Sequence, residues 1–344
     1  MIKYKSLILL LIYLITGIYL SLNTGISHDE YHEQLNWEIN LKAIKSFYET
    51  GYYKDLLEYK DRYHGIGFNF LSQPFQYLIK DFLLSYLDIN EYGSILIAKH
   101  PVIFIVFFIS SLFFYKICII FFNDKNFALI SLFIYLLYPY FLGHSFINPK
   151  DIPFLSFWVI STYVLCKILK KLYKEEPVPI KYIVYISIST SFLISIRIVG
   201  FLILLQFLIF IITFNEIKNK SFFNLIKNNI KNLFILLFTL VLFLYLLNPI
   251  FWHDPKEIVN SLKWMSKYQQ DVSTLTLGEY MKSLNLPASY YFIWLFFKLP
   301  ILIILGFFIF PFLEKKFIKN NLNKILTYSL IFTCLIILFL FKFL

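Results

Sequence analysis

The chain has 344 residues, of which 59% are hydrophobic and only 15% are charged. This balance, together with a strongly positive mean hydropathy, excludes a soluble globular domain and indicates an integral membrane protein. The formal net charge of +11 does not indicate nucleic-acid binding, because the lysines are concentrated in short segments between apolar runs, which is a signal of membrane topology.

Apolar runs that approach the roughly 20 residues needed to cross a bilayer recur along the whole chain. By the positive-inside rule, the lysine-rich segments between them predict a cytoplasmic N-terminus and two large extracytoplasmic segments, residues 23–99 and 249–290. We therefore expect one all-α polytopic membrane domain over residues 1–344. The predicted spans are the nine segments 6–22, 100–122, 127–143, 153–169, 182–196, 198–214, 233–248, 291–312 and 325–341.

The first feature with chemical character is the sequence Ser-His-Asp-Glu-Tyr-His at residues 27–32, directly after the first span. An isolated Asp-Glu pair beside a membrane is usually a solvated flank. Here His28 and His32 lie within one turn of Asp29 and Glu30, which favours a functional interpretation. A carboxylate that is partly shielded from water at such a position can serve as a general base.

Two apolar stripes follow within the first large segment. One stripe has helical spacing from Trp37 to Tyr48 and ends before Gly51, and the other runs from Leu71 to Tyr86. These stripes predict two helices that lie on the bilayer surface with their apolar sides towards the lipid.

The turn between the third and fourth spans contains a second polar group, with His144, Asn148, Lys150 and Asp151 between two very apolar runs. Pro149 and a further proline at position 153 prevent a continuous helix here. The group could be only the polar cap of a helical hairpin. Four hydrogen-bonding side chains exceed what a turn needs, so we favour a site.

Residues 182–214 contain one charged residue in 33, Arg197. A single helix of that length would extend about 50 Å, well beyond a hydrocarbon core of roughly 30 Å. Lysine clusters on both sides require an even number of crossings, so we predict a hairpin that turns at residues 197–200. Arg197 then points into an enclosed or wet cavity, or, as the alternative, extends to the outer interface.

The second large segment begins with Asn-Pro-Ile-Phe-Trp-His-Asp-Pro at residues 248–255. His253 could contact an anionic headgroup, whereas Trp252 could equally be an interface anchor. The sequence contains no zinc-binding spacing and no Walker-type loop, so no cofactor is firmly implied and a divalent cation stays an open alternative. The abundance of Lys, Ile, Asn, Phe and Tyr fits an AT-rich bacterial genome, which predicts a bacterial inner (plasma) membrane.

Four separated segments, in the same order, resemble the dolichyl-phosphate-mannose protein mannosyltransferases, glycosyltransferase family 39, and their bacterial relatives that use undecaprenyl-phosphate sugars. The likeness covers residues 1 to about 311. The chain ends at Leu344, earlier than such enzymes usually end, which predicts a minimal or truncated member. The segments are residues 29–32, residues 144–153 with their Asn-Pro-Lys-Asp-Ile-Pro core, residues 197–200, and the stretch from Gly278-Glu279-Tyr280 to Leu286-Pro287.

This resemblance implies the GT-C fold and an inverting transfer of one sugar, a mannose-like hexose, from a polyprenyl phosphate to an acceptor hydroxyl. The acceptor would be a protein, a glycolipid or a wall polymer on the extracytoplasmic face. By the same likeness Asp29 is the base, and Glu30 and Asp151 support it. The side chains expected to bind the donor phosphate or the sugar are His32, His144, Asn148, Lys150, Arg197, His253 and Glu279.

Physical chemistry points the same way, because a lipid-phosphate leaving group needs no proton and the site must instead stabilise the charge that grows on the phosphate. Two other functions stay open from the sequence. A polytopic transporter or lipid flippase could also bury an arginine, although transporters tend to place ionisable groups near mid-membrane. A catalytically inactive accessory subunit would fit the early end of the chain.

Overall fold

The computed structural model describes residues 4–86, 89–267, 273–287, 289–318 and 320–341. The chain forms two compact units, each described by itself. Unit 1 comprises Met1–Ile203 and Ser221–Glu257, and unit 2 comprises Leu204–Lys220 and Ile258–Leu344. Residues 268–272 and 288, within the second predicted extracytoplasmic segment, lie outside the described residues.

The described residues are mostly helical. In chain order the helices are α1 Tyr4–Leu22, α2 His28–Thr50, α3 Lys54–Glu58, α4 Gly67–Tyr86, α5 Glu91–Phe122, α6 Lys125–Leu137, α7 Pro139–Ser145, α8 Asp151–Tyr173, α9 Ile180–Ile196, α10 Leu202–Lys218, α11 Phe222–Asn228, α12 Ile230–Leu247, α13 Glu257–Lys267, α14 Tyr290–Lys298, α15 Ile301–Phe317 and α16 Asn321–Phe341.

This is a helical, multi-pass membrane protein. Within the described ranges, five helices have the length and apolarity to cross a bilayer, and counting each of two bent helix pairs as one span raises the number to seven. The predicted spans 182–196 and 325–341 coincide with the shorter apolar helices Ile180–Ile196 and Asn321–Ile337. The total of nine spans and the GT-C fold stay predictions.

Two of the predicted spans are not single helices. The segment 127–143 is bent by 59° between α6 and α7, where Pro139 follows Tyr138, and the segment 291–312 is bent by 111° between α14 and α15, next to Pro300. Proline lacks the N–H that a helix needs and forces the preceding residue out of the helical region, so each helix ends there. Each of these two predicted spans is therefore a bent pair of helices rather than one straight helix.

The first large segment forms the predicted helices. α2 ends at Gly51, whose φ of 73° gives the left-handed cap that glycine adopts without strain. α4 has an inverted arrangement: it buries polar side chains such as Ser72 and Gln76, and it exposes Leu78 and Phe82 of the predicted apolar stripe. An exposed apolar face suits contact with lipid. The placement of α4 on a bilayer surface stays a prediction.

The core of unit 1 is aromatic and closely packed around α5. Phe104 and Phe107 are fully buried among side chains of α1, α6 and α8. A Cβ added to Gly17 of α1 would lie 1.8 Å from the Phe104 ring, so only glycine permits this approach of α1 to α5. α9 packs against α8 and α12 through small polar side chains, including a 2.9 Å hydrogen bond from Ser161 to Ser189, which is how many membrane helices associate.

The predicted interruption at Arg197 is confirmed. α9 ends at Ile196, Arg197 has an extended backbone, and a 3-10 turn over Ile198–Phe201 leads into α10. The loop that precedes α4 lies directly against this break, because a Cβ on Gly65 would be 2.3 Å from the backbone oxygen of Ser195. This contact brings the first large segment to the last two residues of α9, directly before the arginine turn.

Gly65→Ala should therefore destabilise unit 1 and displace the arginine turn. The added methyl group meets backbone, which cannot move aside as a flexible side chain does, and overpacking of this kind costs about 1–3 kcal/mol. The expected result is a lower midpoint of thermal unfolding in detergent. Gly25→Ala is the matched control, since nothing lies within 4 Å of a Cβ at that glycine. Equal midpoints for the two variants would contradict this packing.

Unit 2 contains one departure from an all-α fold. β1 (Ser273–Thr276) and β2 (Glu279–Lys282) form an antiparallel hairpin in which Thr276 pairs with Glu279. The two-residue turn has positive φ at Leu277 (53°) and at Gly278 (88°), the geometry that matches the twist of paired strands. Apart from this short hairpin, the regular secondary structure of the described residues is helical, in agreement with the predicted all-α class.

Candidate functional site

The adjacent carboxylates after the first span have opposite surroundings. Asp29 is exposed, whereas Glu30 is 2% exposed and both of its carboxylate oxygens are occupied. Glu30 Oε1 accepts the backbone N–H of Ser27 (2.6 Å), and Oε2 lies 2.7 Å from Nε2 of the fully buried His100. The Glu30 carboxylate is buried and cannot contact a substrate. Glu30 can therefore support Asp29 only by holding the helix turn that carries both residues.

The protonation of this buried pair follows from its partners. His100 Nδ1 lies 3.0 Å from the backbone oxygen of Ser21, which can only accept, so Nδ1 carries a proton. A hydrogen bond between His100 Nε2 and Glu30 Oε2 then requires one further proton, which is bound either to the imidazole nitrogen or to the carboxylate oxygen. In both forms the pair has no net charge, so Glu30 adds no net negative charge beside Asp29.

Asp29 shares a face of α2 with Glu33, which belongs to a charged cluster. Residues four apart share one face of a helix, so Asp29 and Glu33 are neighbours. Glu33 accepts a hydrogen bond from Lys150 Nζ at 2.6 Å, and both side chains are largely buried. Within the part of the chain that the structure describes, the Asp29 carboxylate has no hydrogen-bond or ion-pair partner.

His64 is the second neighbour of Lys150. Its Nδ1 lies 3.4 Å from Lys150 Nζ, and its Nε2 lies 3.8 Å from Asp61. Because the ammonium group can only donate, Nδ1 accepts and the proton of the neutral ring sits on Nε2, facing Asp61. Lys150 thus uses two of its three N–H bonds, on Glu33 and His64, and one remains for a ligand.

Asp151 and Arg197 form the other ion pair of the site, with 2.6 Å between Asp151 Oδ1 and Arg197 Nη2. Asn148 holds the turn that carries Lys150 and Asp151, because its side-chain oxygen accepts the backbone N–H groups of both residues. The Asn148 amide group then donates to Asp151 Oδ2 (3.1 Å) and to His144 Nδ1 (3.2 Å).

The structure therefore brings together five of the predicted site residues from two distant segments. These five lie in unit 1, and the positive members, Lys150 and Arg197, lie close enough to His64 to influence its charge. The unpaired Asp29 carboxylate lies one helical turn from Glu33, the partner of Lys150, and a carboxylate near two cations suits proton removal beside a developing anion. The five residues are His144, Asn148, Lys150, Asp151 and Arg197.

Two predicted residues of unit 1 are not part of this cluster. His32 is exposed and contacts the rings of His28 and Tyr31. His253 is exposed, with its ring centroid 6.5 Å from that of Tyr53. Among the described residues of unit 1, neither histidine has an ion-pair contact with the cluster. The predicted residue Glu279 is exposed on β2 of unit 2.

The sequence analysis did not identify four residues that contact the site or the helix turn carrying Asp29. Glu33 could have been found by its helical spacing from Asp29. Lys99 and His100 are ionisable side chains at the start of an apolar span, which is itself a signal of function. Nothing in the sequence marks His64, an isolated histidine in a loop. No group of three or more His, Cys, Asp or Glu in the described ranges could hold a metal ion.

His64 should make the stability of the protein depend on pH. Burial, and then the nearby Lys150 ammonium, lower the pKa of His64 below its ordinary value of 6.5. The unfolded chain therefore binds this proton more readily than the folded chain, so stability is complete above about pH 6.5 and declines as the pH falls below it. His64→Gln should reduce this decline, measured as the unfolding midpoint in detergent between pH 7.5 and 5.5.

The matched control for this pH effect is His32→Gln, which replaces an exposed histidine outside the cluster. It should keep the pH dependence of the unmodified protein. An identical pH dependence for His64→Gln and the unmodified protein would contradict the described environment of His64.

Comparison with models of protein families, with curated proteins and with solved structures gave no match. The candidate site is therefore interpreted from the residues and contacts of this chain.

Proposed function

We propose that the protein is a membrane glycosyltransferase that moves one sugar, a mannose-like hexose, from a polyprenyl phosphate to an acceptor hydroxyl on the extracytoplasmic face. One observation carries the proposal. An exposed and unpaired carboxylate, Asp29, lies one helical turn from Glu33, which accepts a hydrogen bond from Lys150. The resemblance of four segments to glycosyltransferase family 39 supports the same activity.

In the proposed reaction Asp29 removes the proton of the acceptor hydroxyl as its oxygen attacks the anomeric carbon. The bond between that carbon and the phosphate oxygen breaks, and the electron pair leaves with the phosphate. One displacement of this kind inverts the anomeric configuration. The carboxylate ends the step protonated, and the sugar is bound to the acceptor.

The leaving phosphate gains one negative charge in this step, since a phosphodiester becomes a monoester. The remaining N–H of Lys150 and the guanidinium of Arg197 are suited to stabilise that charge. Their carboxylate partners, Glu33 and Asp151, hold the two cations in place between turnovers. No acid is needed at the leaving group, which fits a site with one free carboxylate rather than the two of a glycosidase.

The direct test is transfer by the purified protein in proteoliposomes that contain a radiolabelled polyprenyl-phosphate hexose and a mixture of peptide, glycolipid and polysaccharide acceptors. The expected result is label in an acceptor fraction and release of unlabelled polyprenyl phosphate. Movement of the intact donor across the bilayer without release of polyprenyl phosphate would instead support a lipid flippase. The absence of both would contradict the proposed activity.

A further inference from the structure

Two consecutive residues of α5 contact the first two turns of α2, the helix that carries Asp29. His100 contacts Glu30 and, on its other ring nitrogen, the backbone oxygen of Ser21 at the end of α1. Lys99, also fully buried, donates to Gln34 one turn further along α2 (3.3 Å). The end of α1, the start of α2 and α5 thus meet at one side chain, His100.

We propose that His100 is a positioning residue of the site: through Glu30 it fixes the first turn of α2, so that Asp29 and Glu33 face Lys150. This inference rests on the proposed function, because it assigns His100 a part in the same reaction. His100 does not touch a substrate in this role. It acts only on the direction of the Asp29 carboxylate.

The physical argument starts from the link between α1 and α2, which is short and has open space around Gly25. The first N–H groups of a helix have no intrahelical partner, and the Glu30 carboxylate that caps this turn through the Ser27 N–H is itself held by His100. A rotation by one residue would turn Asp29 by about 100° around the axis of α2 and away from Lys150. The buried contact between Glu30 and His100 allows one orientation of this turn, since each ring nitrogen already has its own partner.

A purely structural role for this pair is the alternative to test. Replacing a buried pair by apolar side chains of similar volume is often neutral for stability. Polar groups at such a place therefore contribute to a defined geometry more than to stability. Loss of the pair should accordingly lower kcat clearly and change the midpoint of thermal unfolding only slightly.

Two variants separate the two contacts of His100. The amide nitrogen of glutamine can take the place of Nε2 and keep the bond to Glu30, whereas the amide nitrogen of asparagine takes the place of Nδ1 and keeps only the bond to Ser21. His100→Gln should retain most of kcat. His100→Asn should lose on the order of 10- to 100-fold in kcat, since a small misplacement of a reacting group has this effect, while the KM for the donor changes little.

Ser110→Ala is the control in the same helix, because it removes a buried hydrogen bond to Tyr135 far from α2. It should lower the unfolding midpoint and leave kcat unchanged. Equal kcat values for His100→Gln and His100→Asn would overturn the positioning role, even if Asp29→Asn abolishes transfer and the proposed function stands.

A second measurement does not depend on activity. A nitroxide label attached through Asp29→Cys, with Cys118, Cys166 and Cys334 replaced by serine, should give the same single-component spectrum with His100 and with His100→Gln. A mobile component should appear with His100→Asn, or with Glu30→Leu if the asparagine variant does not fold. Identical spectra in all of these backgrounds would overturn the proposal. If the unmodified protein transfers no sugar, the proposed function fails and these spectra alone decide the positioning role.

Discussion

Asp29→Asn should reduce sugar transfer by about 10²- to 10⁴-fold in kcat, which is the usual contribution of a positioned general base. Asparagine has nearly the same size as aspartate but cannot accept the proton of the acceptor hydroxyl. The KM for the donor should change little, because the two cations pair with Glu33 and Asp151 and not with Asp29. Initial rates in proteoliposomes with a labelled donor measure both constants.

The matched control is Glu49→Gln, which neutralises an exposed carboxylate at the opposite end of α2. It should transfer sugar at the rate of the unmodified protein. Full activity of Asp29→Asn would exclude Asp29 as the base.

Lys150→Met should lower kcat by about 10²- to 10³-fold, the effect expected when one group that stabilises a developing anion is removed. Methionine keeps much of the length of the side chain and removes its charge. The effect on kcat should exceed the effect on the KM for the donor, since the phosphate carries more charge as it leaves than when it binds. The same assay separates the two constants.

The partner of Lys150 complicates this variant, because Glu33 is largely buried and would lose its counter-charge. The double variant Lys150→Met with Glu33→Gln removes that unpaired charge. It should recover stability without recovering transfer, whereas recovery of both would mean that Lys150 only neutralises Glu33. Lys60→Met, in an exposed position of the same large segment, is the control that should behave like the unmodified protein.

The positions of helices and breaks could be predicted largely from the sequence. The break at Arg197 and the end of α2 at Gly51 both follow from local features, namely the length of an apolar run and a glycine after a helical stripe. The bends next to Pro139 and Pro300 also have a local cause, because proline ends the helix that precedes it.

The composition of the site was predicted in part. The segments around Asp29, Lys150 and Arg197 do meet, as their placement on one membrane face predicted. The difference between Asp29 and Glu30 was not foreseen, although the Ser27 to Glu30 spacing is typical of a carboxylate that caps its own helix. The expected partial shielding from water applies to Glu30, and Asp29 is exposed.

The sequence by itself determined that the chain is a helical membrane protein and which segments carry its polar groups, since both depend on residues close together along the chain. Only the tertiary structure decided which of two adjacent carboxylates is free, and that His64 and Glu33 meet Lys150. These contacts join residues that are 70, 86 and 117 positions apart. Many other pairs of polar residues are equally compatible with the local sequence, and only the packing of the helices determines which pairs meet. A local sequence pattern therefore cannot specify these contacts.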